Sequence, residues 1–392
     1  MIDCVQPSEC VLCAGCRNVC PTGAISFENQ YLDYAYPLID SEKCIQCNKC
    51  EMVCPIVQKT NLKEGDYLHG YAAKVEDDIV RKNSTSGGVF YAIAMHTIQE
   101  GGYVCGAVYE EDYRVAHIVS NQKEDIIRMM GSKYAVSEMG DTLQKVKDLL
   151  KQQKKVLFTG CPCQIASVCT YLGEKPEGLF LLEIFCHGNC SGEILQSYLK
   201  MHETRRGSKI KDLAFREKST GWHTSRVRIE FEDATQYKEL ITIDPYMRAF
   251  LSGTTMRESC YDCRFRSGKS GCDLMIGDFW GAEVEVKEMD DNKGLSAVVV
   301  VTPQGEKVLG RLQLALREVD VASIIKYNRN VEKSTKKDER REAFYDYAKS
   351  HGYANALEEF FKESAKERMS RKGRNFLRNC KRKLKGEEKA LY

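Results

Sequence analysis

The chain has 392 residues, 58 Lys and Arg against 56 Asp and Glu, and 43% hydrophobic and 29% charged residues. That length predicts two or three domains, and that balance excludes disorder and any overall polyanion-binding charge. No stretch reaches the ~18 apolar residues of a membrane-spanning helix, and the start, MIDCVQPSEC, has neither a basic nor an apolar segment, which predicts no export signal and a cytoplasmic protein.

Nine of the 19 cysteines fall within the first 54 residues. In a reducing compartment such density signals metal or redox chemistry rather than disulfides. Cys10, Cys13, Cys16 and Cys20-Pro21 recur 34 residues later as Cys44, Cys47, Cys50 and Cys54-Pro55. Both copies read C-x2-C-x2-C-x3-C-P, the run of two-cluster bacterial ferredoxins, in which the fourth Cys of each run ligates the other cluster. On that logic one [4Fe–4S] cluster takes Cys10, Cys13, Cys16 and Cys54, and a second takes Cys44, Cys47, Cys50 and Cys20. Two structural zinc sites are the competing reading, but zinc has no use for the third Cys or the trailing Cys-Pro of each run. Cys4 lies outside the pattern and reads as an idle thiol. This ferredoxin-like domain is placed at residues 1–60.

Residues 61–345 change character. Ser84-Thr85-Ser86-Gly87-Gly88 precedes a periodic run, Val89 to Gln99, that predicts a capped helix. Tyr103 to Tyr109 predicts a strand. Asp141 to Gln153 predicts a helix with Leu143, Val146, Leu149 and Leu150 on one face. Val156 to Thr159 and Leu179 to Phe185 read as buried strands, each turning into a helix through a cysteine-bearing loop. Repeated strand–turn–helix units predict parallel βαβ structure. Arg226 to Glu232 and Gln236 to Ile243 flank Asp233-Ala234-Thr235 and predict an antiparallel hairpin. The expected fold is therefore an α+β ferredoxin domain fused to a mixed-sheet α/β domain.

Residues 346–392 are expected to form a helical, basic tail, part of a helix-like stretch from Phe344 to Lys385. Lys366 to Lys385 holds ten Lys or Arg and one Glu. A solvated face is one reading. Phe376, Leu377, Cys380 and Leu384, recurring on one side of a basic helix, offer peripheral contact with an anionic membrane as a second. Nucleic acid ranks below both, because Phe376 is the one aromatic of that stretch, and no nucleic-acid partner is expected.

The central cysteines lie in loops that follow strands: Cys161 and Cys163 in GCPCQ, Cys186 in FCHG, Cys260 and Cys263 in CYDC, and Cys272 before IGDFWG. In an open α/β sheet such loops share one crevice, which makes a third metal site a candidate. Cys105, Cys169 and Cys190 read as small buried residues, and Asp278 and Trp280 as packing and loop anchoring.

The ferredoxin run followed by STSGGVF, GSKY, GCPCQ, CHG, SCYDCRF and IGDFWG resembles the family of beta subunits of coenzyme F420 hydrogenase and dehydrogenase over roughly residues 5–300. The resemblance implies an FAD-containing iron–sulfur oxidoreductase that takes electrons from a ferredoxin or another redox protein and passes them to a small organic substrate or a deazaflavin-like cofactor. It also implies a further [4Fe–4S] cluster beside the flavin, with ligands carried onto Cys163, Cys186, Cys260 and Cys263. Cys161 and Cys272 depart from the family pattern and leave six thiols for four places. An electron-transfer subunit without its own substrate, serving surface-polysaccharide assembly, is the alternative function, and a non-flavin docking protein is a third.

For the flavin diphosphate, the Ser/Gly-rich helix start nominates Ser86, Gly87 and Gly88; an ordinary capped helix is the plain alternative. Lys133 in GSKY is nominated to face a reduced flavin or a substrate carboxylate, against the alternative of a surface lysine. His187, beside a ligand position, is nominated to relay protons, against a hydrogen-bonded structural role.

Overall fold

The computed structural model describes residues 5–32, 34–58 and 66–371. They form two compact units, one from residues 5–196 and 255–337 and the other from residues 197–254 and 338–371.

The first unit is built on an eight-stranded sheet. In chain order its strands are β1 (His69–Lys74), β2 (Tyr103–Tyr109), β3 (Val115–Ser120), β4 (Val156–Gly160), β5 (Leu179–Ile184), β6 (Leu274–Asp278), β7 (Ser296–Val300) and β8 (Ala315–Val319). Across the sheet they run β8-β1-β7-β6-β5-β4-β2-β3. The centre, β2-β4-β5-β6, is parallel, and the flanking pairs are antiparallel. Parallel strands are covered on both faces and need continuous apolar sequence. All five residues of β4 and the first five of β5 are accordingly buried.

The helix Val89–Gln99 lays Val89, Ile93 and Ala94 on the sheet, where they join Val104, Leu157, Leu182, Ile276 and Val298 in one core. Thr142–Lys151 buries Leu143, Val146 and Leu150, three of the four residues its periodicity marks. Fully burying one such side chain stabilises by about 1.5–3 kcal/mol. The ferredoxin-like segment adds a hairpin, Ile25–Tyr31 with Tyr34–Ile39, in which Ile25 faces Ile39.

The second unit holds a three-stranded antiparallel sheet of Ile210–Glu217, Arg226–Phe231 and Gln236–Leu240. Its last two strands form the expected hairpin. Asp244 is fully buried and accepts from the hydroxyls of Tyr198 (2.6 Å) and Tyr237 (2.9 Å) and from the Met247 N–H (2.9 Å), which caps the helix Pro245–Leu251.

The continuous helix expected from Phe344 is corrected. Arg341–His351 and Tyr353–Phe361 are separate helices, broken at Gly352 with φ +79°, a left-handed value that glycine adopts without steric cost. Residues 365–371 are helical again. Phe376, Leu377, Cys380 and Leu384, on which the membrane reading rests, lie outside the described residues. Among the described residues no helix is long and apolar enough to cross a membrane.

Candidate iron–sulfur centres

The two ferredoxin runs fold alike. Leu12 and Ala14 in the first copy, and Gln46 and Asn48 at the matching positions of the second, all have φ between +55° and +58°. Left-handed backbone costs a non-glycine residue about 1–2 kcal/mol. The repeated strain curls each loop tightly around its own three cysteines. The short helices Gly15–Val19 and Lys49–Met52 then carry Cys16 and Cys50.

The structure groups the thiols by fours. Cys16 feels Cys13, Cys10 and Cys54, and burial foremost, with these neighbours, pushes its thiol well up. Burial likewise pushes Cys10 up to about 12, against the pull of the Leu12 N–H. Cys20 instead lines one cavity with Cys44, Cys47 and Cys50. Burial of the Cys20 thiol is outweighed there by the N–H and hydroxyl of Thr22 and the Ala24 N–H (3.3 Å), which hold it below its usual range. The fourth cysteine of each run thus sits with the other run's three. The two groups differ in exposure: Cys13, Cys16 and Cys54 are buried, whereas Cys47 is exposed.

A third group forms at the carboxyl ends of the parallel strands. β4 ends at Gly160, and Pro162 starts the next helix with Cys163 in its first turn. The Cys161 N–H donates to Gln164 Oε1 (2.9 Å), and Gln164 donates onward to Ser137 Oγ (2.9 Å), so the turn is braced from within. Cys186 follows β5. Cys163 is pushed up to about 12 by burial, with Cys263, Cys186 and Cys260 adding to it and Arg257 opposing. Burial pushes Cys263 up to about 11. Cys186 is raised first by its hydrogen bond with Cys161 and then by burial. Cys272 is oriented elsewhere: it is fully buried and interacts with Glu183, Asp273 and Cys169.

Two buried arginines serve this group. Arg266 donates to the carbonyls of Cys186 (2.6 Å), His187 (3.3 Å) and Asn330. Arg257 lies 3.7 Å from Cys163 Sγ. Ser334 Oγ accepts from the Cys263 N–H at 2.9 Å, and Thr335 donates to the His187 carbonyl. Sequence reading passes over Arg257, Arg266, Ser334 and Thr335. Arg257 and Arg266 lie three residues either side of the CYDC motif, and that proximity is their one available signal. Cys163, Cys186, Cys260 and Cys263, with Cys161 beside Cys186 and two cationic neighbours, are a donor set suited to an anionic iron–sulfur cube.

The residues nominated for flavin lie apart from these thiols in their hydrogen bonding. Ser86 Oγ donates to the Leu295 carbonyl (2.6 Å), and the Gly87 N–H donates to Ser296 Oγ (2.9 Å). A Cβ on Gly87 would stand 2.3 Å from the Ala73 carbonyl oxygen. Gly88 is the N-cap of Val89–Gln99. Thr85 and Ser132 join their two motifs through a 3.0 Å hydroxyl contact. Lys133 Nζ donates to the carbonyls of Arg128 (2.8 Å), Met129 (3.0 Å), Met130 (2.7 Å) and Gly131 (3.2 Å), closing the C-terminal end of Lys123–Met129. Ser86, Gly87 and Lys133 thus each make hydrogen bonds within the protein.

Residues 5–58 match the family model of the 4Fe-4S dicluster domain. Residues 70–144 and 153–322 match the N-terminal and C-terminal parts of the beta subunit of coenzyme F420 hydrogenase/dehydrogenase. Among curated relatives, a coenzyme F420-dependent sulfite reductase of Methanocaldococcus jannaschii is 28% identical over 41% of this chain and 25% of its own length. An uncharacterised protein of the same organism is 26% identical over 64% of this chain and 66% of its own length. A component of the F(420)H(2) dehydrogenase of Methanosarcina mazei is 22% identical over 50% of this chain and 60% of its own length. The chain thus spans between a quarter and about two thirds of these relatives. A chain of the F420-reducing [NiFe] hydrogenase complex from Methanosarcina barkeri aligns with TM-score 0.45 and 18% identity, over 68% of this chain and 91% of that one.

Proposed function

The chain belongs to the family of coenzyme F420 hydrogenase/dehydrogenase beta subunits, joined to a 4Fe-4S dicluster domain, and from that premise we propose that it is an iron–sulfur oxidoreductase subunit that carries electrons between a ferredoxin-type protein and a two-electron reactant. The reactant is a deazaflavin of the F420 type, a class supported by the F420 in the names of two curated relatives.

One observation carries the reading. Cys13, Cys16 and Cys54 pack with Cys163 and Phe265 in a single buried cluster, with Cys20, Cys50, Cys161 and Cys263 against its edge. The three thiol groups are therefore neighbours in series, and the exposed Cys47 marks the end open to a protein donor. When bound, [4Fe–4S] clusters supply one-electron transfer. In our reading Cys10, Cys13, Cys16 and Cys54 hold the first, Cys20, Cys44, Cys47 and Cys50 the second, and Cys163, Cys186, Cys260 and Cys263 the third. Val11, Ile56, Ala166 and Phe265 exclude water around the first. Arg266 fixes the Cys186–His187 backbone that borders the third. His187 is held there through its carbonyl, which accepts from Arg266 and Thr335. No part of this function is assigned to Ser86, Gly87, Gly88 or Lys133, and FAD, which the family resemblance implies, is tested by the absorbance of protein purified anaerobically.

Iron analysis tests the reading. Reconstituted protein should hold about 12 iron and 12 sulfide per chain, and Cys163→Ser or Cys263→Ser about 8 of each. About 8 in the intact protein, unchanged by both substitutions, would overturn the third centre.

A further inference from the structure

A single positive charge sits between two of the thiol groups. Arg257 is 2% exposed. Its Nη1 donates to the carbonyl of Val11 (2.7 Å), between Cys10 and Cys13, and its Nη2 lies 3.7 Å from Cys163 Sγ. Its Nε donates to Ser259 Oγ (2.8 Å), and Ser259 donates onward to the Cys10 carbonyl (3.3 Å). Among the described residues these hydrogen-bond partners include no carboxylate, and arginine keeps its proton at every pH a fold survives. A buried cation without a counter-charge is costly. Its position becomes favourable once thiolates on both sides carry negative charge.

We propose that Arg257 is a shared counter-ion for the first and third centres, a positioning residue that raises both reduction potentials together and leaves the second centre untouched. The inference rests on the three-centre reading above. Each added electron makes a cluster more negative, and a nearby cation in a low-dielectric interior stabilises the reduced state more than the oxidised one. The second centre has different support, because Cys20 takes its hydrogen bonds from Thr22 and Ala24. One charge serving both shifts the two potentials in the same direction.

The test is a potentiometric titration followed by electron paramagnetic resonance, with iron counted, on wild type, Arg257→Gln, Arg257→Lys and Ser259→Asp. Arg257→Gln at full iron content should lower the first and third potentials by at least 59 mV, a tenfold change in the one-electron ratio, with the second unmoved. Arg257→Lys, which keeps the charge, should recover most of that shift. Ser259→Asp sets a carboxylate beside Nε while keeping the arginine, and should lower the same two potentials even where Arg257→Gln loses iron. Unmoved potentials in the Ser259→Asp protein, or an equal shift in all three centres, would overturn the proposal. A wild-type count of about 8 iron would instead overturn the three-centre reading beneath it, so the two failures are distinguishable.

Discussion

The hydroxyl of Thr170 lies 3.1 Å from the carbonyl oxygen of Val53, the residue before Cys54, and equally 3.1 Å from the Ala166 and Ser167 carbonyls of its own helix. The helix Pro162–Leu172 that starts at the third thiol group is thereby fastened to the ferredoxin-like segment. Asn18 repeats the device, donating to the Gly140 carbonyl (2.7 Å) and accepting from the Gln144 N–H (3.3 Å). Thr170→Val keeps the shape and removes the one hydroxyl proton that these three carbonyls share, at a cost of about 1 kcal/mol. Thermal unfolding should show that loss. Chelator challenge should strip the first centre faster than in wild type and the second at an unchanged rate.

Cys272 and Cys186 make a contrasting pair. Cys272 interacts with Glu183 and Cys169, whereas Cys186 interacts with Cys161 and sits beside Cys260 and Cys263. Cys272→Ser should leave the iron count at its wild-type value, and Cys186→Ser should remove about 4 iron per chain. Equal iron contents in the two variants would contradict the placement of the third centre.

Ile45 and Met52 are 64% and 65% exposed on the segment that carries the exposed Cys47. Two large apolar side chains beside a surface redox centre are suited to contact with a protein partner. Ile45→Asn and Met52→Gln, which add no charge, should each slow reduction by ferredoxin about tenfold, equivalent to about 1.4 kcal/mol, with iron content and potentials unchanged. Stopped-flow mixing with reduced ferredoxin measures this directly.

His117 gives the fold an acid-sensitive point. It is buried, stacks on Phe158 at 5.8 Å and bonds the Thr159 carbonyl through Nε2 (3.2 Å). Burial holds its pKa down at about 4, below the ordinary 6.5. As pH falls through 6.5 the unfolded chain takes up a proton that the folded chain refuses, so stability drops until pH reaches about 4. Between pH 7 and 5 this amounts to about 2 kcal/mol. Denaturant unfolding of His117→Gln should show an acid-side loss smaller by that amount than wild type.

What could be read before folding depended on how local the cause was. β2, β4 and the helix Val89–Gln99 are visible because their own side chains dictate them, as apolar runs and a capped periodicity. β1 is HGYAAK, and its small residues answer to distant neighbours: a Cβ on Gly70 would stand 2.7 Å from the Val319 carbonyl oxygen. No local pattern reports that requirement. The ferredoxin cysteines are legible because their spacing is itself the chemistry. Arg257 and Arg266 are not, since a buried arginine looks in sequence like any exposed one. The STSGG run announces a close approach without naming what approaches. Its glycine permits close approach, as expected, but what approaches Gly87 is the backbone of β1 and β7.

The order in which the third group is synthesised follows from the division of the chain. Cys163 and Cys186 precede the segment Ser197–Thr254, which belongs to the second unit, and Cys260 and Cys263 follow it. β6, which fits between β5 and β7, comes later still. A growing polypeptide on the ribosome therefore displays half of the thiols before the other half, β6 and β7 have been made. Iron delivery to this centre has to wait until Cys263 has been made, and a product terminated before it would expose unpaired thiols to oxidation.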